Sequence, residues 1–185
     1  MIEDLLTDAR EHMAKSVEAT RHKFGSVRTG RASPSLLDRV QVDYYGAVTP
    51  LRQLATINAP EARLLTVQPY DKNSIKAIER AIQESDVGLN PSNDGVLIRL
   101  SVPELTEDRR KDLVKVVRNL AEEGRVALRN IRRDTMHDLR ELRDAGEAGA
   151  DDEHRAEEQL QKLTDEKVKE LDGILNAKEA EILEV

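Results

Sequence analysis

The stretch TEDRRKDLVKVVRNLAEEGRVALRNIRRDTMHDLRELR, running from Thr106 to Arg143, decides the fold. Thr106 carries the hydroxyl of an N-cap, and Glu107, Asp108 and Arg109 fill the first turn, where the two acids suit the helix dipole. Leu113, Val117, Leu120, Ala127, Ile131, Thr135 and Leu142 then recur on one face at helical spacing. The spacing predicts one helix of about forty residues, far longer than an ordinary globular helix.

Outward from it, the C-terminal side is interrupted over residues 146–152 and resumes as a helix through Ala156, Leu160, Leu163, Val168, Leu171, Leu175 and Ile182. At the other end of the chain, Leu6, Ala9, Met13, Val17, Thr20, Phe24 and Val27 repeat at three- and four-residue steps, a first helix expected to reach Thr29. Gly30 and Pro34 break that pattern. Three narrow apolar stripes suit mutual packing as a bundle better than a thick core. The residues between read otherwise. Val40, Val42 and Tyr44 alternate, Leu64, Leu65 and Val67 form a short apolar run, and Ile98, Leu100 and Val102 alternate again, so strands are expected. Asn73 or Ser74 could cap a short helix bearing Ile75, Ile78, Ala81 and Ile82, and residues 88–95 are dense in turn formers.

The fold class expected is therefore α+β: a long antiparallel three-helix bundle from residues 1–29 and 106–185, interrupted by a small, β-rich α/β domain at 31–104. Two strands of chain join them, near 30–33 and 102–106. Thr29, Gly30 and Arg31 on one strand, with Pro103, Glu104, Leu105 and Thr106 on the other, are the expected hinge.

Composition agrees with long solvated helices: 35% of residues are charged and 2% aromatic, with no Trp. The absence of Cys removes disulfides and thiolate metal sites and fits a reducing cytoplasm. The first residues lack a secretory pattern, and no apolar run approaches membrane-spanning length. His12, His22, His137 and His154 show no metal-binding spacing, and Asp151, Asp152 and Glu153 read as caps in a loop before the last helix rather than as ligands. No phosphate loop, nucleophile elbow or catalytic pair appears. No enzyme, metal or cofactor is expected.

A net charge of −7 argues against a nucleic-acid partner until its distribution is seen. Residues 109–143 hold eleven Lys and Arg against six Asp and Glu, whereas residues 144–185 hold five against fourteen. At about 100° per residue, Arg118, Arg125, Arg129, Arg132 and Arg143 fall within about 60° of one another, well round the helix from the apolar stripe. Such a ridge can be solvated charge balanced by the acidic last helix. Stacked like charges are costly, however, and Arg presents a rigid fork matched to phosphate oxygens, which favours a nucleic-acid backbone. A coiled-coil adaptor gripping another protein is the alternative, and a hydrolase using Asp151 and Glu153 a distant third.

Val27-Arg28-Thr29-Gly30-Arg31-Ala32-Ser33-Pro34-Ser35-Leu36-Leu37 strongly resembles a signature of the bacterial ribosome recycling factors. So do Tyr44-Tyr45-Gly46, residues 49–55 (TPLRQLA), Gly88-Leu89-Asn90-Pro91, residues 105–113 (LTEDRRKDL) and Arg129-Asn130-Ile131-Arg132-Arg133-Asp134. The resemblance spans nearly the whole chain. It implies an L-shaped, monomeric cytoplasmic factor that acts after translation termination, splitting the ribosome with elongation factor G and GTP while hydrolysing nothing itself. It also implies a bundle laid across large-subunit ribosomal RNA near the inter-subunit bridge. By resemblance Arg129 and Arg132 make the backbone contacts, with Arg110 and Arg133 in support, so the expected RNA-binding set is Arg110, Arg118, Arg125, Arg129, Arg132 and Arg133.

Overall fold

A computed structural model describes residues 1–184. Contacts divide the chain into two compact units: Met1–Phe24 together with the chain from Val114 onward, and the continuous segment Gly25–Leu113.

In the first unit, α1 (Ile2–Gly25) buries Leu6, Ala9, Met13, Val17, Thr20 and Phe24, the stripe expected from its spacing. The helix stops at Gly25, four residues short of the expected Thr29. Ser35 explains the stop: its hydroxyl donates to the Gly25 carbonyl at 3.0 Å, satisfying a terminal acceptor that another turn would have used.

The second unit begins with a 3-10 turn at Pro34–Leu37 and a hairpin of β1 (Gln41–Tyr44) and β2 (Ala47–Pro50). Tyr45 and Gly46, at φ 50° and 83°, make the two-residue turn, whose hand matches strand twist only with positive φ at both positions. A single helical turn, α2 (Leu51–Leu54), leads into β3 (Ala55–Glu61) and β4 (Leu64–Pro69). Next come α3 (Ile75–Glu84), β5 (Pro91–Asn93) and β6 (Ile98–Ser101). Four of the strands form an antiparallel sheet in the order β3-β4-β6-β5. Leu65 and Val67 of β4, Ile98 and Leu100 of β6, and Ile78 and Ile82 of α3 are fully buried, as alternation and helical phase require.

The two strands of chain expected as the hinge both fall inside the second unit and run beside each other: the side chain of Leu105, itself buried, lies against Gly30, which sits at φ 82°. Ala32 donates to the Ala62 carbonyl at 2.7 Å and Val102 to the Arg63 carbonyl at 2.9 Å, tying both strands to the β3–β4 turn.

The decisive helix is α4 (Glu107–Asp144), 38 residues long, and Thr106 caps it by accepting from the Arg109 N–H at 3.2 Å. Its last partner, α5 (Ala150–Leu183), starts three residues earlier than expected. Asp151, Asp152 and Glu153 therefore occupy the first turn of a helix instead of a loop, where acids complement the dipole. Helix α4 packs with both α1 and α5, and that widens its buried arc. Leu113, Val117, Ala121, Leu128, Thr135 and Leu139 are buried, whereas Leu120, Ala127, Ile131 and Leu142 are only partly so. Gly124 marks a close approach: a Cβ there would stand 2.6 Å from both Leu171 Cδ1 of α5 and Thr20 Oγ1 of α1.

Candidate nucleic-acid interface

Burial of Ala121, Leu128 and Leu139 moves the apolar arc of α4 toward the arginines, so the expectation that they point outward together holds for only part of the ridge. Arg118, Arg125 and Arg143 border the seam with α5 and reach across it. Arg118 Nε donates to Glu179 at 2.6 Å, Arg125 to Asp172 at 2.9 Å through Nε and 2.7 Å through Nη2, and Arg143 Nη1 to Glu153 at 2.8 Å. Arg140 lies 3.8 Å from Glu157. As the arginine number rises from 118 to 143, the acid's falls from 179 to 153, the register of an antiparallel pair. Charge segregation between the two helices is thus partly a zipper. Glu153 is buried and its carboxylate is taken up by Arg143, which leaves it unsuited to a hydrolase role. Among the described residues no three His, Cys, Asp or Glu side chains gather into a possible metal site.

The outer face is different. Arg129, Arg132, Arg133 and Arg140, with the acids Asp134 and Asp138 and with Val126, Asn130, Met136 and His137, line an open depression of about 820 Å³ along α4. Arg129 is half exposed, and its Nη2 donates to Glu122 at 2.6 Å. Arg133 Nη2 donates to Asn130 at 3.2 Å. Arg132 stands at the margin: Nη1 donates to Gln161 of α5 at 2.7 Å, and its Nε is buried without a hydrogen-bond partner. The guanidinium is oriented by α5 without meeting a carboxylate there, so its charge is not neutralised locally. Glu122 also accepts from Arg125 Nη1 at 3.1 Å, and hydrogen bonds from Arg129 and Arg125 hold its carboxyl below the usual carboxylate range.

Of the six arginines singled out in the sequence, the structure gathers Arg129, Arg132 and Arg133 on one open face and sets Arg118 and Arg125 in the α4–α5 seam. Arg110 falls in the other compact unit, half-buried, with its Nε unpartnered. Arg140 was not singled out, although at about 100° per residue it sits within about 40° of Arg118 and its signal was present. What gathers here is a row of rigid cations with a partly exposed apolar floor at Val126, and with Asp134 and Asp138 among them. Such a face can bind and orient an anionic backbone.

Residues 20–183 match the family model of ribosome recycling factors. The chain belongs to the ribosome recycling factor family. Relatives called ribosome-recycling factor include one from Rubrobacter xylanophilus, 57% identical over 97% of both chains. Another, from Halalkalibacterium halodurans, is 54% identical over the full length of both. Among solved structures, the solution structure of a ribosome recycling factor superposes with a TM-score of 0.80 at 40% identity, covering 100% of this chain and 98% of that one. The Thermus thermophilus ribosome recycling factor, described with Escherichia coli elongation factor G bound to the post-termination complex, matches over the full length of both chains. Its TM-score is 0.70 and its identity 49%. Ribosome recycling factors are translation factors and not enzymes. No helix among the described residues is long and apolar enough to cross a membrane.

Proposed function

We propose that the chain recycles ribosomes after termination in the cytoplasm by docking the outer face of α4 on large-subunit ribosomal RNA. With elongation factor G and GTP it would then part the ribosome into subunits. The observation that carries this reading is the full-length likeness, at 49% identity, to a recycling factor placed with elongation factor G on a post-termination complex. Arg129, Arg132 and Arg133 are the anchors, since they line the open depression and none is spent on the α5 acids. Arg118 and Arg125 serve the bundle first, because both already hold carboxylates across the seam.

The division of labour is mechanical. The bundle is bound to RNA, the smaller domain is pushed by the GTPase, and the paired connections from Thr29 to Arg31 and from Pro103 to Thr106 act as the hinge. Two connections limit twist better than one while leaving a bending direction free. Sedimentation of post-termination ribosomes with this protein, elongation factor G and GTP tests the whole: subunits should appear only when all three are present. Intact ribosomes under every condition would sink the reading.

A further inference from the structure

Arg129 and Arg125 share one carboxylate, and the sharing is unequal. Glu122 accepts from Arg129 Nη2 at 2.6 Å and from Arg125 Nη1 at 3.1 Å. Arg125 has a second acid, Asp172, gripped by two of its nitrogens, and its side chain is only 24% exposed. Arg129 is 51% exposed, and Glu122 is the only ion-pair partner the described residues give it. The pair also has an unusual span. Glu122 lies seven residues before Arg129, two turns back along α4, so the arginine must lie flat along the helix axis, in the direction its Cα–Cβ bond already leans. A carboxylate held there presents two oxygens to two guanidinium groups much as a phosphate would.

We propose that Glu122 is an internal stand-in for a backbone phosphate of the RNA: it holds Arg129 extended along α4 in the free protein and surrenders it on docking, while Arg125 stays with Asp172. This rests on the reading of Arg129 as an RNA anchor and adds a specificity element to it. The exchange is cheap because exposed ion pairs contribute little, whereas an Arg–phosphate contact is charge-assisted and can be bidentate. A weakly bound anion, by contrast, gains little over the carboxylate already in place. The protein therefore engages the closely spaced phosphates of folded RNA in preference to isolated anions or acidic peptides. The low protonation tendency of Glu122 keeps the stand-in charged throughout the neutral range.

The test is ribosome-binding titration of Glu122→Gln beside Asp112→Asn. The latter removes the same charge from the same helix, at an exposed residue outside the depression that the arginines line. Glu122→Gln should tighten binding about two- to fivefold more than Asp112→Asn, the range expected for freeing one exposed pair. That extra gain should vanish in an Arg129→Ala background. Equal effects of the two substitutions, or weaker binding by Glu122→Gln, would overturn the proposal while leaving Arg129 as an anchor. Unchanged binding by Arg129→Ala alone would overturn the anchor and the proposal together.

Discussion

Two arginines seven residues apart on one helix illustrate how little a residue's type says about its work. Arg125 closes a carboxylate on the neighbouring helix, whereas Arg132 is aimed by the uncharged Gln161 and meets no carboxylate there. Replacing Arg132 with Ala should weaken ribosome binding by about 1.5–3 kcal/mol, the worth of a charge-assisted hydrogen bond that water does not restore. Its effect on thermal stability should be small. Arg125→Ala should do the reverse, costing about 1 kcal/mol of folding stability in denaturant titration, with a smaller effect on binding. The same contrast between type and setting appears at Asp94. Its carboxylate accepts from the backbone N–H groups of Leu97 and Val96 and from Arg99, which together hold its pKa at about 2. Because the folded value lies below the unfolded one, its support for the β5–β6 turn is full above about pH 4 and fades as pH falls toward 2. Carbon-detected NMR titration of the side-chain carboxyl should show a midpoint near 2. A midpoint near 4 would mean that the turn's hydrogen bonds are not kept in solution.

Among elements, the long helices were legible because burial on one face imposes a 3.6-residue period, and α1 and α5 follow their expected stripes almost residue for residue. Helix α4 was legible in length but not in phase. One stripe was read where two neighbours bury a wider arc, and Asp172 and Glu179, which claim Arg125 and Arg118, lie 47 and 61 residues away in sequence. Three strands escaped. β2 is short and half exposed, β3 carries Pro60 and a register shift between Asn58 and Glu61, and β5 opens on Pro91 inside what reads as turn sequence. Edge strands tolerate proline and polar residues because one side is unpaired and solvated, so composition hides them. Gly124 escaped for the opposite reason. Glycine in mid-helix usually costs stability relative to alanine, about 1 kcal/mol, yet here three helices meet where a Cβ would collide with Leu171 and Thr20. Gly124→Val should lose about 1–3 kcal/mol by overpacking the bundle, measured by chemical denaturation. Stabilisation would show that the helices are not as close as 2.6 Å implies.

At the scale of the whole molecule the net charge of −7 points away from RNA, and only its distribution permits docking. The acids of α5 neutralise the seam side of α4 and leave the outer row as a local cationic face on an anionic protein. Such a protein is repelled by a polyanion at long range and attracted at contact, so its orientation on approach is selected before any hydrogen bond forms. Ionic strength separates the two ranges. Binding through phosphate contacts should weaken steeply as salt rises, because each neutralised phosphate releases condensed counterions, with a logarithmic slope of about 0.7–0.9 per contact. An Arg129→Ala/Arg132→Ala double variant should then bind more weakly at moderate salt and show a slope shallower by about 1.5. The loss should shrink toward high salt, where the contacts it removes are already weak. An adaptor that gripped a protein through the apolar grooves of the bundle would show a flat salt dependence and an unchanged slope in the double variant. Titration of ribosomes across a salt series decides between them, and an unchanged slope would remove the arginine face from the mechanism, whatever the affinity at one salt concentration.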